Sequence, residues 1–213
     1  MYLPQAFEET RAAQLQRMIA EHPLGALVVA APQGLDANHL PFLLDADALP
    51  HGRLIAHVAR ANPLWREAVE DQPVLVIFRG ADGYISPNWY PTKHETHRQV
   101  PTWNYMAVHV HGMLRIRDDE AFVRGVVARL TRVHEAGTGA ERPWKMTDSS
   151  KEYIDQMLSA IVGIEITITR ITGKWKLGQN REQRDRINAA AELQKRGEGA
   201  LASAMRDAGG GDA

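Results

Sequence analysis

No cysteine occurs anywhere in the 213 residues. That excludes disulfide staples, thiolate catalysis and sulfur-ligated zinc sites. Long apolar runs are missing too: nothing approaches the roughly eighteen apolar residues of a membrane-spanning helix. The opening MYLPQAFEET has neither the basic start nor the apolar centre of a secretory leader. Charge of one sign is also lacking, since 25 Lys and Arg stand against 26 Asp and Glu, for a net charge of −1. No global field therefore draws the chain to nucleic acid or to an anionic membrane. There is no G-x-G-x-x-G after a strand and no G-x-x-x-x-G-K-[ST], so a dinucleotide turn and a P-loop are unsupported. Ser86 lacks a G-x-S-x-G context, which leaves triad chemistry little ground. What remains is 44% hydrophobic and 24% charged, enough for one sizeable domain with a real core and appended helices. The expectation is a cytoplasmic protein with no membrane contact.

Hydrophobic periodicity orders the rest. A helix is expected over 7–20, ended by His22-Pro23, and strands over 24–31, 38–44 and 52–59. Pro41 demotes the second of these toward an edge or a bulge. Asn62-Pro63 opens a short helix through 69. Strands follow over 74–78 and 105–116, the latter alternating Met106, Val108, Val110 and Gly112 with Ala107, His109 and His111. Residues 118–135 form the clearest helix, capped by Asp118 or Asp119 and stopped at Gly137. Ser149 with Glu152 reads as a capping box for a helix to about 161. A strand is expected over 164–176 and a polar helical tail over 181–207, broken at Gly197 and Gly199. Strands in the middle without repeating βαβ units favour a β-barrel with added helices over a doubly wound sheet.

Aromatics make up only 7% of the chain, so their crowding in one tract carries information. Residues 84–105 read YISPNWYPTKHETHRQVPTWNY and hold Tyr84, Trp89, Tyr90, Trp103 and Tyr105 among Lys93, His94, His97 and Arg98. A core would explain the aromatics but not the interleaved cations, which are costly to bury unpaired. A cleft for a flat anion uses both. Two flanking segments offer further donors. His57, Arg60 and Asn62 lie where a strand enters a helix, a setting that suits a phosphate as well as a plain exposed corner. Lys176, Gln179, Asn180 and Arg181 crowd the end of the last strand and can close one side of an anion site. The pairs His94/His97 and His109/His111 leave a haem or metal site open, although imidazoles two apart on a strand more often form a solvated face.

In this order, MYLPQAF, NHLPFLLD, GRLIAHVARANPLW, the tract running into AVHVHG, and KLGQNR, the chain resembles the PaiB-like family of FMN-binding transcriptional regulators. The resemblance covers most of the chain, to about residue 190. It implies an FMN-binding split β-barrel, a six-stranded antiparallel Greek-key barrel, α+β overall, paired as a homodimer with FMN at the interface. The implied organisation is a barrel domain with added helices over 1–180, a helical extension over 181–208 and a disordered tail over 209–213. Carried over by position, the implied flavin contacts are His57, Arg60, Asn62, Tyr84, Ser86, Lys93, Thr102, Trp103, Asn104, Lys176, Gln179 and Asn180. Where the family pattern shows Ser before Gln-Asn, this chain has Gly178, so a hydroxyl contact is lost. Regulation is expected to run through a protein partner or a metabolite rather than direct DNA binding. No helix-turn-helix is visible, and the region from Lys174 to Asp207 has only eight Lys and Arg against five Asp and Glu. A flavin-dependent oxidoreductase or flavin reductase of the same class is the alternative, and a haem- or metal-binding barrel the second.

Overall fold

The computed structural model describes residues 1–48, 51–69 and 71–208. The tail expected to be disordered, 209–213, lies outside the described residues. The chain falls into two compact units. One comprises Ile19–Phe78 and His109–Ile171, and the other Met1–Met18, Arg79–Val108 and the chain from Thr172 onward.

Eight strands are found among the described residues: β1 (Glu8–Glu9), β2 (Leu24–Ala31), β3 (Gly34–Pro41), β4 (Leu43–Asp45), β5 (Arg53–Ala59), β6 (Pro73–Ile85), β7 (Thr102–Arg117) and β8 (Ile161–Lys176). They join in the order β3-β2-β6-β7-β8-β5-β4, with β1 beside β8. The pairings β2–β3, β2–β6, β4–β5, β5–β8 and β1–β8 are antiparallel. The two ends of the path, β3 and β4, are one stretch of chain interrupted only at Phe42. The sheet of the first unit therefore returns on itself, as the expected split barrel requires. Its six strands of seven residues or more are β2, β3 and β5 to β8. Pro41 explains the interruption, because it cannot donate to a ladder and bends the strand where it changes partner.

Alternation fills this barrel. Val74, Val76 and Phe78 of β6, Val110 and Leu114 of β7, and Ile164, Ile166 and Ile168 of β8 are all buried. Phe42 meets Phe78 edge-on, with centroids 5.9 Å apart. Gly112 is required here, since a Cβ would stand 2.5 Å from the Thr167 carbonyl oxygen. Helix α4 (Glu120–Ala136) lays Val126 and Leu130 on Ile55, and its Val123 meets Ile154 and Leu158 of α5 (Lys151–Ser159). Asp119 caps α4 by accepting from the Phe122 amide. The cap of α5 is Ser150 rather than Ser149, because the Ser150 hydroxyl accepts from the Tyr153 amide at 3.3 Å. A short α2 (Leu64–Glu67) follows Pro63.

The other unit has a core of its own. The tail is two helices, α6 (Gln183–Lys195) and α7 (Gly199–Asp207), which bury Ala189, Ala190, Leu193, Leu201 and Met205 with Ile85, Tyr90 and Leu177. The first helix, α1 (Ala12–Glu21), starts later than its apolar pattern suggests. Residues 8–9 pair with Gly173 and Lys174 instead, and the Glu9 carboxylate accepts from the Arg11 amide and guanidinium. Strand β6 runs well beyond 78, because main-chain pairing continues through the polar stretch Arg79–Gly83 where hydrophobicity does not mark it.

Candidate functional site

The tract of residues 84–105 is divided between two strands and the segment that joins them. Tyr84 and Ile85 end β6, and Thr102 to Tyr105 begin β7. Between them the Ser86 hydroxyl caps a 3₁₀ turn, Pro87–Trp89, by accepting from the Asn88 amide. Pro91 then opens α3 (Pro91–Thr96), and His97 closes it with a left-handed φ of 56°. Helix α6 holds this segment. The buried Asp185 carboxylate accepts from the Thr92 amide at 3.1 Å and from its hydroxyl at 2.6 Å, where the first turn of α3 has free N–H groups. Asn188 donates to the Trp89 carbonyl at 2.7 Å, Arg184 grips Glu95 with two nitrogens, and Arg181 donates to Gln99 at 2.8 Å.

Four of the expected site residues come together on this frame. Tyr84 and Trp103 are 48% and 50% exposed, unusual for rings of their size. They stand edge to face at 6.3 Å, and the Trp103 indole donates to Asp82 at 3.0 Å. Lys176 donates to the Thr102 hydroxyl and to the Trp103 carbonyl at 2.8 Å. Burial, reinforced by Lys174 and Arg181, pulls the Lys176 ammonium below the ordinary lysine range. The result is an open aromatic ledge with a cation at its edge.

The other expected residues of this unit have different neighbours. Ser86 serves as the cap just described, and Lys93 donates to the Asn88 side chain at 2.9 Å. Asn104 is buried and meets the Met205 sulfur at 3.4 Å. Gln179 ties the turn after β8, accepting from the Leu177 amide at 2.8 Å and donating to the Trp175 carbonyl at 2.6 Å. Asn180 is exposed. Gly178 has φ +87°, a conformation that L side chains rarely adopt. That accounts for glycine where the family pattern has serine.

His57, Arg60 and Asn62 belong to the barrel unit. The Arg60 guanidinium donates to both oxygens of Asp118, to the Ser159 carbonyl at 2.8 Å and to the Ile161 carbonyl at 3.2 Å. Arg60 thereby holds Asp118 below its usual carboxylate range, and most of its donors are occupied. Asn62 accepts from the Leu64 amide at 2.9 Å and donates to Asn38 at 2.7 Å, so it shapes the corner. His57 differs: its buried Nδ1 has no partner, and burial lowers its pKa.

The histidine pairs do not assemble a metal site among the described residues, where no three His, Asp or Glu side chains converge. The His111 ring lies 3.0 Å from the Arg170 guanidinium, a neighbour that disfavours a bound cation. Sequence reasoning missed Asp82, Asp185 and Arg186. Their signal is burial or strand-end geometry, and a polar helical segment such as 181–195 does not display it.

Residues 1–170 match the model of a family described as "Putative FMN-binding domain". The protease synthase and sporulation protein PAI 2 of Bacillus subtilis is 32% identical over 91% of this chain and 89% of its own. An uncharacterized protein of Emericella nidulans, AN0679, is 31% identical over 98% of both chains. Among solved structures, the FAD and heme binding protein from Mycobacterium smegmatis shares the fold. It has a TM-score of 0.57 at 18% identity, covering 80% of this chain and 74% of that one.

Proposed function

The chain belongs to the FMN-binding family that matches residues 1–170, and on that premise we propose that it is an FMN-binding regulatory protein that acts through a partner or a metabolite. The observation that carries the flavin reading is the open Tyr84–Trp103 pair beside Lys176. Two large rings left half in water are expected where a flat ligand covers them. Bound FMN supplies a flat redox-active ring and an anionic phosphate. Trp103 and Tyr84 offer apolar faces to the ring. Lys176 has a third N–H beyond its two protein acceptors, and Thr102 has a hydroxyl for a polar edge. In the barrel unit, His57 retains an unpaired Nδ1, while Arg60 and Asn62 have structural partners already.

Regulation draws support from the Bacillus relative, a protease synthase and sporulation protein. The near-zero net charge favours an indirect route over a DNA surface. A homodimer carrying FMN at its interface, which follows from the family resemblance, and a cytoplasmic setting, the default for a sequence without a membrane-spanning apolar run, complete the proposal.

An absorption spectrum of the purified chain before and after adding FMN tests the flavin reading. Bands of a bound oxidised flavin, perturbed from those of free FMN, are the expected result, and a spectrum equal to the sum of its components would refute it. Light scattering tests the dimer. Mobility shift at titrated salt tests the regulatory route, which tight sequence-selective DNA binding would overturn.

A flavin-dependent oxidoreductase is the second reading, and one observation favours it. An ammonium with a lowered pKa at the edge of the ledge is a suitable proton donor to a reacting ring. Bleaching of bound FMN by NADH or NADPH, with turnover, would select this reading.

A further inference from the structure

Several cations of the unit that contains α6 and α7 sit beside a carboxylate. Arg79 has Asp82, Arg184 has Glu95 and Glu182, Lys195 has Glu192, and Arg196 has Glu198. Around the turn after β8 no cation has a carboxylate partner among the described residues. Lys174 donates to the Tyr2 carbonyl, Lys176 to Thr102 and the Trp103 carbonyl, and Arg181 to Gln99. All of these partners are neutral.

Arg186 goes further. It is only 7% exposed, and its Nε is sealed from solvent with no acceptor among the described residues. Asp185, its neighbour in the chain, turns both carboxylate oxygens to Thr92 and makes no bond to Arg186. A buried guanidinium N–H without an acceptor is costly unless the acceptor arrives with a ligand. The Arg186 side chain lies against the Gly178 turn: a Cβ on Gly178 would stand 3.6 Å from Arg186 Cγ and 3.8 Å from Asn104 Nδ2. Burial and neighbouring cations also depress the Lys176 ammonium, the direction expected where positive charge is gathered without its counter-charge. These residues lie beyond the 1–170 segment matched to the family.

We propose that Arg186, with Lys176 and the turn at Gly178, forms a recognition site for a phosphomonoester. Several fixed cations without an acidic partner suit a dianionic phosphate better than a single carboxylate. The phosphate of FMN and that of a separate phosphorylated metabolite share this chemistry. Only the assignment to FMN rests on the flavin reading above.

The experiment is calorimetric titration of the full chain with inorganic phosphate, FMN and riboflavin, each against wild type, Arg186→Gln and Arg186→Lys. Phosphate is expected to bind wild type, to weaken by about tenfold or more in Arg186→Gln, and to be partly restored in Arg186→Lys. If FMN loses affinity in step while riboflavin does not, the flavin phosphate is the occupant. If phosphate binds without competing with FMN, a separate phosphomonoester is the occupant, and the site stands. A wild type that does not bind phosphate overturns the proposal. So does an Arg186→Gln chain that binds phosphate and FMN unchanged, or one that loses riboflavin as much as FMN. Circular dichroism checks folding. Should Arg186→Gln not fold, Lys176→Gln, on a half-buried side chain, carries the same readout. Because the phosphate arm needs no flavin, failure of FMN binding alone leaves it decisive.

Discussion

At the end of β5 a guanidinium meets a carboxylate, while at the end of β8 an ammonium and two guanidiniums meet none. Both places looked alike as sequence, a strand end followed by a helix with cations and amides close by. The Arg60 corner is closed on itself: Asp118 and two main-chain carbonyls take its donors. The turn at Gly178 is open, with Lys176 and Arg181 on neutral acceptors and Arg186 Nε on none. The difference teaches that a cation's residue type says little about ligand binding until its counter-charge is located. A paired arginine at a surface corner is a clasp, whereas a buried cation without an acid waits for an anion.

The comparison can be broken in several places. The largest effect is expected at Asp185, whose buried carboxylate links α6 to α3. Asp185→Ala leaves the Thr92 amide and hydroxyl unsatisfied and should cost about 3 kcal/mol, read as a lowered urea midpoint. A change within about 0.5 kcal/mol would remove the clamp from the account. Next, Lys176→Ala should weaken FMN by about tenfold, as expected for a lost charge-assisted contact, in a flavin fluorescence titration. Trp103→Ala should cost FMN roughly 1 kcal/mol through lost ring contact and abolish part of the tryptophan quenching. Gly178→Ala should cost roughly 1 kcal/mol of stability for a side chain at positive φ, because the space itself is ordinary contact distance.

Arg60→Ala tests the contrast from the other side. The ion pair predicts a small fall in melting temperature with FMN affinity intact, whereas the phosphate expectation predicts weaker FMN binding. Last, burial holds the His57 pKa below its ordinary value of 6.5. The unfolded chain therefore takes up the proton first as pH falls. Stability is full above about 6.5 and declines below it. His109 and His111 are lowered by burial too, so His57→Gln should flatten the decline in part. A slope unchanged by His57→Gln would show that its burial has no thermodynamic weight.

Much of the frame was legible before the structure. The α4 stripe with a cap at Asp118 or Asp119, the Pro41 interruption, the break at Gly197 and the strand alternation after Val108 follow from local rules of periodicity and turn chemistry, whereas Gly199, expected to break the helix as well, is the first residue of α7. The grouping of Tyr84 with Trp103 was half legible, since crowded aromatics and cations marked the tract without saying which rings would stay in water. Tyr90 went to the core at 2% exposed while Trp103 did not. Local pattern cannot make that division, because it depends on whether α6 and α7 cover a given ring. The start of α1 was misplaced for a related reason: Glu8 and Glu9 pair with β8 far along the chain, and no local pattern encodes a partner at that distance.

By itself, the sequence determined the class of chemistry available: no thiol, no apolar run long enough for a membrane-spanning helix, no nucleotide loop, and one tract where aromatics and cations crowd together. It also determined the alternating strands that make a barrel the economical way to bury them. Tertiary structure alone decided which charges were satisfied. Asp118 reached Arg60, Asp185 reached Thr92, and among the described residues nothing acidic reached Arg186. Pairing of charge is a matter of distance in space, and burial is what makes an unpaired charge costly. Neither can be read along a chain, and together they separate the clasp at Arg60 from the open turn at Gly178.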